Sequence, residues 1–164
     1  MGYLRRKADE FLCRWKEQED RLPLIIQGAR QVGKTETIRK FAAEHYDHVV
    51  EINFVTDPKY KSIIDNGFAA DNIIKSISLV DPEKEMVPGN TLIFFDEIQA
   101  FPEIATSLKF FKEDGQYDVI CSGSLLGIQY QHIASISVGY KEDYKMYSMD
   151  FEEFLWAKGY GEEQ

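Results

Sequence analysis

The sequence has 164 residues and no arginine after Arg39. Its six arginines, Arg5, Arg6, Arg14, Arg21, Arg30 and Arg39, all fall in the first forty residues. That segment carries ten Lys and Arg against six Asp and Glu, a net of +4. Residues 41–164 carry nine lysines against twenty-two acidic residues, a net of −13. A broad footprint on nucleic-acid phosphates needs clustered basic side chains, so nucleic acid is not an expected partner of this chain alone. The basic N-terminal segment reads first as a solvated helix face, with contact to an acidic partner as the alternative. Cysteine is scarce too: Cys13 and Cys121 show no C-x-x-C spacing, which excludes a disulfide framework and fits reduced thiols in the cytoplasm. His45, His48 and His132 lack metal-ligand spacing. No apolar run approaches the ~18 residues of a membrane span. The start, Met1-Gly2-Tyr3-Leu4-Arg5-Arg6-Lys7, has no apolar signal core. Gly2 invites a myristoylation reading, but the charges that follow belong to an ordinary helix face. A cytoplasmic protein without a membrane partner is therefore expected. Internal repeats and low-complexity segments are also missing.

What is present suits one domain with one sizeable core: 44% hydrophobic and 29% charged residues. Leu4, Ala8, Phe11, Leu12 and Trp15 fall on one stripe at helical spacing, so residues 3–18 read as an amphipathic helix. Residues 1–20 are taken as this N-terminal helix and 21–164 as the core domain. Pro23 opens a strand over 23–27. A helix over 34–45 turns Ile38, Phe41 and Ala42 inward. The run 48–54 is a second strand, rich in β-branched and aromatic residues. Residues 57–78 form two short helices broken at Asn66-Gly67, the second starting near Asp71. Prolines, a glycine and charges mark 81–90 as a loop. Thr91 to Phe95 is a near-continuous apolar run, as in a strand covered on both faces. Pro102 opens a helix to about Lys112, which Gly115 closes. Tyr117 to Cys121 is the fourth strand, and a further strand is placed at Tyr144 to Ser148. Asp150-x-x-Glu153 begins a capped helix with Phe151, Phe154, Leu155 and Trp156. Strands alternating with helices imply an α/β fold, a parallel sheet with helices on both faces. Ligands of such sheets bind beyond the C-terminal strand ends, where Gly28, Asp96 and Ser122 all fall.

The stretch Gly28-Ala29-Arg30-Gln31-Val32-Gly33-Lys34-Thr35 fits the phosphate-loop pattern G-x-x-x-x-G-K-[ST]. The glycines let the backbone curl so that successive N–H groups converge on phosphate oxygens. The helix that follows points its positive end at the same anion. Lys34 is expected to reach the β- and γ-phosphates of a nucleotide, and the Thr35 hydroxyl to ligate Mg²⁺. Asp96, after four apolar residues, has the character of a Walker B aspartate and a second holder of Mg²⁺. Glu97 beside it is placed to orient and polarise the water that attacks the γ-phosphate; the alternative is a simple helix cap. Ser122 can place a hydroxyl between the carboxylates and the phosphate, and Ser124 offers either that role or a helix cap.

These residues, with Ile52-Asn53-Phe54, Phe94-Phe95-Asp96-Glu97-Ile98-Gln99, Ser122-Gly123-Ser124 and the ending Ser148-Met149-Asp150-Phe151-Glu152-Glu153-Phe154-Leu155, resemble the AAA-type ATPases of bacteria and archaea. These are additional-strand P-loop NTPases. The narrower likeness, over roughly 20–157, is to the family that often carries a nuclease-like C-terminal domain. The resemblance implies a three-layer P-loop NTPase with strand order 5-1-4-3-2. It implies ATP as the nucleotide, Glu97 as the catalytic glutamate and Ser122 as the sensor residue. It also implies a protein partner, a further C-terminal domain or a homo-oligomer. The chain departs from the family at Gly139-Tyr140, where Gly-Arg is usual, and it stops at Gln164 before a lid or second domain. Slow hydrolysis of ATP by the isolated chain is the expectation. Two alternatives stand beside it: an ATP-gated interaction module with negligible turnover, and a small-molecule P-loop kinase, which the shortage of arginine disfavours.

Overall fold

Five strands form a single sheet: β1 (Leu24–Gln27), β2 (His48–Asn53), β3 (Thr91–Asp96), β4 (Asp118–Gly123) and β5 (Glu142–Lys145). Their spatial order is β2-β3-β4-β1-β5, and every pairing is parallel. Read from the other edge this is 5-1-4-3-2, so β4 does lie between the strand before the phosphate loop and the strand that ends in Asp96. The computed structural model describes residues 7–29, 33–124, 131–133, 136–147, 155 and 158.

β3 shows why the centre of the sheet must be apolar throughout. All six of its residues are buried, with Leu92 and Phe94 entering one core and Ile93 and Phe95 the other. On the first face α1 (Lys7–Glu17) contributes Ala8, Leu12 and Trp15, and α2 (Lys34–His45) contributes Ile38, Phe41 and Ala42. On the second, α3 (Ala70–Val80) supplies Ile73 and Ile77, and α4 (Ser107–Asp114) supplies Leu108 and Phe111. β2 is an edge strand and alternates: Val50 and Ile52 are buried, while Val49 remains 42% exposed.

Several boundaries moved. The first half of 57–78 is a 3-10 helix, Pro58–Ile64, and the chain breaks at Gly67 with φ 108° before α3 begins. The stretch after Pro102 is a 3-10 turn through Thr106 that becomes α-helical only at Ser107, whose hydroxyl donates to Ile104 O at 2.6 Å. The last strand lies earlier than Tyr144–Ser148, at Glu142–Lys145. Its register with β1 sets this: Glu142 N–H bonds Pro23 O, and Leu24 pairs with Glu142. Only Tyr144 and Met146 turn towards the core, so the charged Glu142, Asp143 and Lys145 hide the strand in the sequence. The helix expected from Asp150, and the first turn of the N-terminal helix at Leu4, lie outside the described residues.

A polar cluster fastens α1 to the sheet. Arg21 grips Asp118 with Nε–Oδ1 at 2.9 Å and Nη2–Oδ2 at 2.8 Å, and the Tyr46 hydroxyl donates to Asp118 Oδ2 at 2.6 Å. Trp15 Nε1 donates to Leu22 O at 2.8 Å. Burial and Asp118 push the Tyr46 hydroxyl well above its ordinary range, so it remains a donor. Asp118→Ala is expected to cost about 1.5–3 kcal/mol, because it strips a half-buried guanidinium and a buried phenol of one acceptor. Urea unfolding of parent and variant reads this; a loss below about 0.5 kcal/mol would place the cluster with ordinary surface ion pairs.

Candidate functional site

β1 ends at Gln27 and the chain turns into the phosphate loop. Gly28 N–H bonds Gly123 O at 3.3 Å, which ties the loop's start to the end of β4. Gly33 caps α2 with φ 93°, a left-handed conformation that glycine adopts without steric cost, and no side chain caps the helix. Among the described residues no side chain caps the N–H groups of that first turn, and a helix start of this kind suits an anion. Lys34 is 8% exposed, and its ammonium donates to Gly28 O at 2.9 Å and Ala29 O at 2.7 Å. Burial lowers its basicity, while Glu97 and then Asp96 pull it back up. Arg30, Gln31 and Val32 lie outside the described residues.

Asp96 closes β3 and is 3% exposed. Its Oδ1 accepts from the Ser122 hydroxyl at 2.5 Å and from Glu97 N–H at 2.9 Å. Its Oδ2 accepts from the Thr35 hydroxyl at 3.1 Å. Burial pushes its carboxyl upward, the Ser122 and Thr35 bonds pull it down, and the neighbouring Glu97 charge pushes it up again. The hydroxyl of Ser122 is thus engaged with the Asp96 carboxylate.

Glu97 has φ 58° and ψ 48°, the one left-handed non-glycine among the described residues. It precedes the short 3-10 turn Ile98–Ala100 but makes no side-chain capping bond to it. Its Oε2 accepts instead from Gln99 Nε2. Gln99 Oε1 in turn accepts Ser124 N–H at 3.2 Å, so Ser124 enters the site through its backbone. A cavity of about 450 Å³ opens beside these groups, lined by Gly33, Lys34, Thr35 and Glu97 and reaching Asn53, Val55 and Thr56.

Two residues of the site, Asn53 and Gln99, stand out in the sequence only as parts of the resemblance. Asn53 stands opposite Asp96 in the β2–β3 register, and its Oδ1 accepts from Val55 N–H at 2.8 Å and Thr56 N–H at 3.1 Å. Its place at a strand end was the available signal. Gln99 carries no signal of its own, because one of its two partners, Ser124, comes from the chain just past β4.

The sheet register places Tyr140 and Lys141. Both precede Glu142, which pairs with Leu24, whereas the phosphate loop leaves the other end of β1 after Gln27. They sit at the N-terminal edge of the sheet, opposite the cavity. Lys141 pairs there with Asp143, and the Tyr140 ring lies near the Lys109 ammonium at 5.6 Å. Lys141 does not approach this chain's own site, and an arginine at Tyr140 would not face it.

Among the described residues no cluster of three or more His, Cys, Asp or Glu could hold a metal ion by itself, and no helix is long and apolar enough to cross a membrane. A sequence profile of the AAA domain family matches residues 20–155. The solved structure of C. elegans PCH-2 is similar with a TM-score of 0.51 and 13% identity, over 86% of this chain and 41% of that one. The Drosophila ORC bound to DNA is similar with a TM-score of 0.51 and 11% identity, over 89% of this chain and 94% of that one. At such identities the likeness shows the fold alone, and this chain spans less than half of the PCH-2 chain. No curated protein matches.

Proposed function

The chain belongs to the AAA domain family, ATPase-type nucleotide-binding domains, and from that premise we propose that it binds ATP with Mg²⁺ in the cavity beside α2 and hydrolyses it to ADP and phosphate. The observation that carries this reading is the single contact Thr35 Oγ1 to Asp96 Oδ2 at 3.1 Å, with the Lys34 ammonium held on the loop carbonyls nearby.

The donor set fits a magnesium ion. One hydroxyl and one carboxylate, both oxygen donors, with Thr35 lining the cavity and Asp96 hydrogen-bonded directly behind it, suit a cation that keeps several waters and takes few protein ligands. Thr35 and Asp96 would hold it, and when bound it would neutralise charge on the phosphates of the nucleotide. The chain's own residues do the rest. The free N–H groups of the first turn of α2 receive phosphate oxygens. Lys34 exchanges its carbonyl partners for the β- and γ-phosphates. Glu97 accepts a proton from the water that attacks the γ-phosphorus, and the bond from that phosphorus to the bridging oxygen breaks as ADP leaves. Ser122 keeps Asp96 oriented.

Turnover by this chain alone should be slow. An arginine supplied to the transferring phosphoryl group is worth about 10³–10⁵ in rate. Among the described residues Lys34 is the cation that lines the cavity. Arg39 is bound to Glu51 at 2.6 Å and Arg21 to Asp118. A rate well below the ~1 s⁻¹ of slow ordinary enzymes is expected, rising when a protein partner or second copy presents an arginine.

Titration with a fluorescent ATP analogue and phosphate release, with and without Mg²⁺, test the reading. Thr35→Ala should leave much of the nucleotide affinity and lose most of the Mg²⁺ dependence. No binding of ATP overturns the proposal. Binding without release, even with arginine-presenting partners, would leave an ATP-gated interaction module in its place; release that needs a small-molecule acceptor would favour a kinase.

A further inference from the structure

We propose that Gln99 is a positioning residue that fixes the Glu97 carboxylate from the end of β4, an inference that rests on the hydrolytic reading of the site. The amide spans two elements: Nε2 donates to Glu97 Oε2, and Oε1 accepts the N–H of Ser124. A backbone N–H only donates and a carboxylate only accepts, so these partners define the amide's orientation and it cannot be turned over.

The end of β4 is shaped around this side chain. A Cβ on Gly123 would stand 2.7 Å from Gln99 Oε1 and 3.2 Å from Ile98 Cγ1. Glycine is needed there for room. One residue earlier, Ser122 bonds Asp96. Successive residues at and just past the end of β4 thus fix successive residues at and just past the end of β3: Ser122 holds Asp96 directly, Gly123 makes space, and Ser124 holds Glu97 through Gln99.

The chemistry suits a general base. Glu97 has a left-handed backbone and no cap contact, so its backbone alone does not determine where the carboxylate goes. A neutral donor on Oε2 fixes the carboxylate plane and leaves Oε1 for a water in the cavity. A lysine in the same place would compensate the negative charge and weaken the base; an amide orients it without doing so. Gln99 does not line the cavity, so its loss should act on turnover and not on nucleotide affinity.

The test is a double-mutant cycle. Gln99→Met keeps length and removes the amide. It should lower kcat about ten- to hundredfold, as expected for a misplaced reacting group, with KM for ATP nearly unchanged. Gly123→Ala, which displaces the same amide, should act in the same direction. In the Glu97→Gln background, Gln99→Met should cost nothing further. Equal losses in both backgrounds, or an unchanged kcat for a folded Gln99→Met, overturn the proposal. A crystal structure of Gln99→Met gives a readout free of activity: the Glu97 carboxylate should leave its parental position. If the parent proves inactive even with an arginine-presenting partner, the hydrolytic reading fails, and an unmoved carboxylate in that structure would sink the positioning role separately.

Discussion

Glu97→Gln should bind MgATP as the parent does and hydrolyse it about 10²–10⁴-fold more slowly, the usual worth of a positioned general base. The amide keeps the shape of the side chain and loses the basic oxygen. The geometry speaks against the competing cap role. A residue at φ 58° suits glycine or asparagine far better than glutamate, and this one makes no capping bond. A strained glutamate beside a magnesium-ligand candidate is better explained by what its carboxylate does. Phosphate release under single-turnover conditions separates the two: binding should be intact and the chemical step slow. A variant that turns over like the parent would return Glu97 to a structural role.

Much of this arrangement was legible because each part obeys a local rule. The phosphate loop follows from two glycines, a lysine and a threonine at set spacing, and the run Thr91–Phe95 announces a strand buried on both faces. Strand order was legible only through the resemblance, since nothing in the composition places β4 between β1 and β3. What stayed hidden depends on register and on contacts between distant elements. β5 was shifted because its charged residues mask the pairing with β1 that begins at Pro23 O. Tyr140, where the resemblance has an arginine, is placed only by the register, since proximity in sequence to the last strand does not say which end of it a residue occupies. Gln99 is read only when β3 and β4 are side by side, because its amide matters through Ser124 and Gly123.

The second large effect concerns Lys34. In this structure its ammonium bridges the carbonyls of Gly28 and Ala29, so the side chain tethers the start of α2 to the chain just past the end of β1. Lys34→Ala removes both that tether and the cation facing the β- and γ-phosphates. Charge-assisted contacts of this kind are worth about 1.5–3 kcal/mol, roughly ten- to hundredfold in affinity. Thermal or urea unfolding with ligand makes the change visible. At an ATP concentration of about a hundred times the parent's Kd, ligand binding stabilises the parent by about 2.7 kcal/mol. A variant with a hundredfold weaker Kd gains only about 0.4 kcal/mol under the same conditions. The unliganded variant should remain folded, because the core formed by Ile38, Phe41 and Ala42 of the same helix is untouched. A folded Lys34→Ala protein that keeps the parent's ligand-induced stabilisation would show that this loop does not bind phosphate.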